Sequence, residues 1–136
     1  MKAKTYLQRA VFLKKLIDDC DEKILEIRTE MESAGAIRYD KLNVQVTPED
    51  PILRNIARLD ALMTRADLLR LEYYELFFEI QQRIEKMENP LQRDILRLRY
   101  LECMSFDQIA EELDYSLDYV YSVHSLALRI FEKRYF

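Results

Sequence analysis

Apolar side chains in the first part of the chain recur at alternating steps of three and four: Ala10, Leu13, Ile17, Cys20, Ile24, Ile27 and Met31. That spacing holds all of them on one face of a helix, so residues 3–32 read as a helix with a heptad seam. The rhythm breaks over residues 33–49, which hold the only glycine, Gly35, and a short alternating run at Leu42, Val44 and Val46. This stretch reads as a loop carrying an extended piece. A second helix is expected to open at Thr47-Pro48 or Asp50-Pro51, because either pair sets an N-cap side chain before a proline whose missing N–H costs nothing there. From that point Ile52, Ile56, Leu59, Met63, Ala66, Arg70, Tyr73, Phe77, Ile80, Ile84 and Met87 keep the same rhythm.

Neither apolar stripe is stable in water, so the two helices should close on each other as a long antiparallel hairpin. Leu62, Leu69 and Leu76 widen the second stripe. Leu71 and Phe78 fall on the far face and call for a further partner, either the C-terminal part of the chain or a second copy of it. Arg70 interrupts the seam and is expected to reach a carboxylate such as Glu26 or Glu30, or to mark a register constraint.

Asn89-Pro90 should stop the second helix and open a third over residues 91–103, burying Ile95, Leu98 and Leu101 and exposing Arg93, Arg97 and Arg99. Ser105, Phe106, Asp107 and Gln108 then form a capping box, in which the serine accepts from the backbone while the glutamine reaches back to the cap. It predicts a short helix over 106–113, a turn through Asp114 and Tyr115, a second N-cap at Ser116 and a last helix to about residue 133. Two helices with a sharp corner between them need a small residue at the crossing, apolar residues on both inner faces and a residue that tolerates a left-handed turn. Ala110, then Ile109, Leu113, Val120 and Val123, and then Asp114 fill these roles in register. The fold class is therefore all-α, with a division at Pro90: residues 1–89 form the hairpin, for dimerisation or partner docking, and residues 90–136 a helix-turn-helix.

Composition agrees with long helices, since 49% of the residues are apolar, 34% charged, one is glycine and three are proline. The net charge is −4, and it is spread along the chain: residues 1–89 carry 15 basic and 17 acidic side chains, residues 90–136 six and eight. A balance of this kind argues against strong non-specific binding to nucleic acid, which rests on phosphate neutralisation. Cys20 and Cys103 are far apart, without a CxxC or a histidine cluster, and read as buried thiols in a reducing compartment. Charges interrupt the N-terminus too early for a signal peptide, and no apolar run has the length of a membrane span. The expected location is the cytoplasm, with no membrane contact. His124 is expected at a surface or half-buried helix position rather than as a metal ligand or catalytic base. No nucleophile elbow, HExxH or glycine loop is found, so the chain reads as non-enzymatic, without cofactor or metal site.

The segment SFDQIAEELDYSLDYVYSVHSLAL resembles the part of bacterial sigma factors that reads the promoter's −35 element, with its serine cap, I-A pair, leucine before the corner, second serine, valine and final A-L. Over nearly its full length, with the helical pair and the YDKLNVQVTPEDP linker, the chain is similar to small Gram-positive phage and prophage regulators related to the ArpU and RinA late-gene activators. That resemblance implies a sigma region 4-like helix-turn-helix and control of phage late genes through double-stranded DNA. Two departures stand out. Asp114 occupies the turn position usually held by glycine, and no Lys or Arg occurs from Leu117 until Arg129, Tyr121 being aromatic where the pattern is often basic. The candidate reading surface is then Ser116, Leu117, Asp118, Tyr119, Tyr121, Ser122 and Ser125, with His124 at its edge. Arg93, Arg97, Arg129, Lys133 and Arg134 are candidates to grip the backbone. A homodimer follows from the need to double a modest half-site. The acidic balance motivates a second expectation, a protein-interaction module that binds RNA polymerase or a sigma factor, or acts as a packaging subunit like a small terminase.

Overall fold

The structure, a computed structural model, describes residues 1–39 and 50–136. Among the described residues it contains five helices and no strand: α1 Lys2–Tyr39, α2 Pro51–Glu85, α3 Pro90–Leu96 continued by a π-helical turn Arg97–Leu101, α4 Phe106–Leu113 and α5 Leu117–Tyr135. The architecture is all-α, a long N-terminal helix pair followed by short helices at the C-terminus.

The seam expected on α1 is buried from Ala10 through Ile27 and is extended toward the N-terminus by Ala3 and Leu7, whereas Met31 is half-buried. α1 does not stop at residue 32 but runs on to Tyr39. A single glycine costs a helix only about 1 kcal/mol relative to alanine, and no proline follows until residue 48, so the helix carries through. The extended run at 42–46 and the Thr47-Pro48 cap lie outside the described residues. α2 opens at the other candidate pair: the Ile52 N–H donates to Asp50 Oδ1 at 2.8 Å, and Pro51 is the first helical residue.

The chain divides into two compact units, Met1–Lys14 with Glu72–Phe136, and Lys15–Leu71. In the second unit the helices run antiparallel: Asp21 pairs with Arg70, and Arg28 lies 3.7 Å from the sulfur of Met63. Cys20, Ile24 and Ala66 are buried together, with Leu59, Leu62 and Leu69 packed around them. The working seam of α2 here is therefore Leu59, Leu62, Ala66 and Leu69, and the expected series through Ile56 and Met63 is corrected, since these are 46% and 39% exposed. Both series share Leu59 and Ala66. The one through Leu62 and Leu69 keeps the Arg70 guanidinium out of the apolar seam, where its desolvation would be costly. Arg70 is half-buried and pairs with Asp21 and Asp67, carboxylates other than the Glu26 and Glu30 named as examples, the antiparallel register setting Asp21 opposite it.

In the first unit Tyr6 donates to Glu79 at 2.7 Å and Arg9 pairs with Glu72, which fixes the same antiparallel sense. Leu7, Ile80, Leu96 and Phe131 are fully buried. Phe131 stacks on Tyr6 and packs at a tilt against Tyr135, and the Tyr135 hydroxyl donates to the Arg83 carbonyl at 2.9 Å. The Lys2 N–H donates to Glu132 at 2.9 Å, and Arg134 donates to the Lys86 carbonyl at 2.7 Å. The end of α5 is thus held by the first turns of α1 and the last turns of α2. Leu71 and Phe78 are 60% and 58% exposed, so the described residues leave them largely uncovered.

Candidate nucleic-acid interface

Local signals assemble the C-terminal module. The Asn89 side chain accepts from the Leu91 and Gln92 N–H groups at 3.0 and 3.1 Å, with Pro90 first in α3. The expected helix over 91–103 is shorter and changes form: α3 ends at Leu96, and the chain widens into the π-helical turn, where the Glu102 N–H donates to the Arg97 carbonyl at 3.0 Å. Widening inserts a residue into the turn and brings Tyr100 and Leu101 inward beside Leu98. Cys103 then takes a left-handed conformation, φ 56, and is exposed, which corrects the expectation of a buried thiol; Cys20 is buried.

The capping box at Ser105 is complete. The Gln108 N–H donates to the serine hydroxyl at 3.2 Å, and the Ser105 N–H donates to the Gln108 side chain at 2.9 Å. α4 ends at Asp114, left-handed at φ 57 and ψ 46, and the Tyr115 N–H returns to the Ala110 carbonyl at 3.0 Å. After this corner the Ser116 hydroxyl accepts from the Tyr119 N–H and starts α5. Ile95, Leu98, Ile109 and Val120 form the core between the helices, with Leu91, Met104, Phe106, Ala110, Leu113 and Val123 against it. Complete burial of side chains such as Ile95, Ile109 and Val120 stabilises the corner by about 1.5–3 kcal/mol each. All the elements of the expected helix-turn-helix are present.

With Val120 turned inward, the opposite side of α5 is open. Ser116, Asp118, Tyr119, Tyr121, Ser122 and Ser125 are exposed, and Leu117 is half-buried. His124 is not at the edge of this surface but 7% exposed, with Nε2 2.8 Å from the Tyr100 hydroxyl. Burial, then the positive charges of Arg99 and Lys4, lower its pKa to about 4. Burial raises Tyr100 to about 12 despite the opposing Arg99. Both groups are neutral near pH 7, and their hydrogen bond ties α5 to the π-helical turn.

The cations differ in how far they are committed. Arg97 is exposed but bonded to Glu102 at 2.8 Å and near Asp94 at 3.8 Å. Arg93, expected to be exposed, is half-buried because α3 packs along α5, while Arg129 and Lys133 are exposed. Arg99 is half-buried, donates to the Met104 carbonyl at 3.0 Å and lies 4.2 Å from the Phe106 ring centre. Phe106 in turn packs on Tyr121 and His124, both at 4.8 Å. Sequence reasoning missed this stack. Its only trace in the sequence was an aromatic residue directly after the Ser105 cap. Among the described residues no cluster of His, Cys, Asp or Glu is arranged to hold a metal, and no helix is long and apolar enough to cross a membrane.

Residues 77–129 match the family Sigma-70, region 4, a span from the last third of α2 to the middle of α5. No curated protein and no solved structure matches the chain. The match agrees with the geometry: the C-terminus carries a sigma region 4-like helix-turn-helix of the DNA-binding, transcription-related kind.

Proposed function

We propose that this protein is a phage-type transcription regulator of the ArpU and RinA kind, acting in the cytoplasm. It inserts residues 116–129 into the major groove of promoter DNA, while residues 1–89 dimerise it or dock it on RNA polymerase. The observation that carries this reading is the left-handed corner at Asp114, with Val120 buried against Ile109 and the polar side of α5 left open. Exposed Arg129 and Lys133 are the backbone contacts, joined by Arg93; the ion pairs of Arg97 reduce its share. A polarisation titration against the late-promoter region of the phage should show preference over random duplex. Equal binding to both at low salt would defeat the reading. Arg129→Ala should weaken binding to every duplex alike and lower the salt slope by about one, with Arg97→Ala the milder change.

A second reading is favoured by one observation. Tyr119, Leu126 and Ile130 are exposed on the flank of α5, at 46%, 45% and 40%. This apolar flank suits a protein partner, RNA polymerase or a sigma factor, or neighbouring copies in a small-terminase-like packaging subunit. Purified polymerase that binds the protein without DNA, and loses it on Leu126→Glu, favours the second reading; polymerase recruited only to the DNA complex favours the first.

A further inference from the structure

The face that α5 turns outward has an unusual chemistry for reading a duplex. At 100° per residue, Asp118, Ser122, Ser125 and Arg129 run along its middle, and Tyr121 sits on the flank beside Leu117. From Leu117 to Leu128 there is no Lys, Arg, Asn or Gln. The paired contacts that single out guanine, through O6 and N7, and adenine, through N6 and N7, therefore have no donor on α5 before Arg129, which the proposed function assigns to the phosphate backbone. Serine hydroxyls meet any base and choose little. What the remaining side chains can tell apart is the C5 methyl of thymine, by apolar contact, and the N4 amino group of cytosine, by a carboxylate acceptor.

The placement of Tyr121 fits that task. Its ring rests 4.8 Å from Phe106, and Phe106 is pressed from another side by the Arg99 guanidinium, itself fixed to the Met104 carbonyl. The phenol is thus a braced apolar surface at 45% exposure, and little side-chain entropy is left to lose on contact. Asp118, one helical turn before Ser122, is exposed in the middle of the face. Its charge repels phosphate and is offset only where an amino group meets it.

We infer that α5 reads pyrimidines: Tyr121 and Leu117 pack on thymine methyls, and Asp118 accepts from a cytosine amino group, so the preferred half-site is pyrimidine-rich on the contacted strand. This rests on the DNA-binding reading and specifies what that surface recognises.

The test begins with selection of bound duplexes from a random pool by the full chain. The enriched duplex is remade with deoxyuridine for thymidine, which removes only the methyl, and with 7-deazaguanine for guanine, which removes only the N7 acceptor. The expected result is a loss of about fourfold per contacted thymine with deoxyuridine, the worth of one buried methyl, and no loss with 7-deazaguanine. Tyr121→Ala should lose a similar factor on the thymine duplex and nothing more on the deoxyuridine one, while Tyr121→Phe keeps full binding. Asp118→Ala should erase the enrichment for cytosine. An enriched duplex indifferent to deoxyuridine, or weakened by 7-deazaguanine, overturns this inference and leaves DNA binding intact. Absence of any enrichment overturns both.

Discussion

His124 and Tyr100 show what one buried polar pair does to the module. The imidazole is held neutral between two helices, because protonating it places a charge in a buried site beside Arg99 and Lys4. Its folded pKa, about 4, lies below the unfolded value of 6.5, so the unfolded chain binds more protons between the two. The stability it contributes is full above pH 6.5 and is lost as the pH falls toward 4, about 3 kcal/mol across the window. Thermal melts over that range should therefore fall more steeply for the natural protein than for His124→Gln, which keeps a polar partner for Tyr100 without the titration; parallel curves would refute the assignment. At the corner the prediction has the opposite sign. Asp114 sits at φ 57, where its Cβ is a cost that glycine does not carry, so Asp114→Gly should raise the stability by about 0.5–1 kcal/mol in denaturant titrations. The corner residue was legible because caps and turns are local: Ser105, Gln108, Asp114 and Ser116 lie within a dozen positions and act on their own backbone. His124 was not legible, since what buries it is the widened turn at Arg97–Leu101, and no residue type announces an extra residue in a helix.

At the scale of elements, periodicity identifies a helix more surely than it identifies the face that packs. α1 offers one clean stripe, and that stripe is the buried one. α2 carries two overlapping series, through Leu62 and Leu69 or through Met63 and Arg70, and both are spaced correctly for a helix. The choice between them depends on the partner: Asp21 draws the Arg70 guanidinium to the side of the interface, and the leucines fall inward around Ala66. Substitutions separate the two faces. Leu69→Ala should cost about 1–2 kcal/mol, the loss for a half-buried leucine, whereas Met63→Ala should stay within about 0.5 kcal/mol. Equal losses at the two positions in urea titrations would restore the series through Met63. The helix ends follow the same logic. Asp50 and Asn89 mark starts through hydrogen bonds visible in the sequence, but nothing at residue 32 forbids the helix, and so α1 continues to Tyr39.

At the scale of the whole molecule, the recognition surface proposed above is the ground for proposing a second copy. On the DNA-binding reading a half-site read without arginine or paired amides yields modest discrimination, and of the cations proposed to grip the backbone Arg129 and Lys133 are exposed on α5, whereas Arg97 and Arg134 hold partners within the chain. Two copies on a two-fold site add their free energies and multiply their specificity, the usual solution for a helix-turn-helix. The chain also supplies surface for such an association. On α2, Phe78 is 58% exposed with its ring against those of its neighbours Tyr74 and Phe77, and Tyr74 is 53% exposed. Aromatic area of this size left in water is a standing cost that the proposed second copy would remove. Phe78→Glu, at a largely exposed position, should therefore halve the mass found by light scattering at micromolar concentration, leave the helical content unchanged, and weaken binding to a two-fold site far more than to an isolated half-site. A mass that stays the same in the variant, whether of one copy or of two, would remove Phe78 from the association and with it the surface on which the dimer proposal stands.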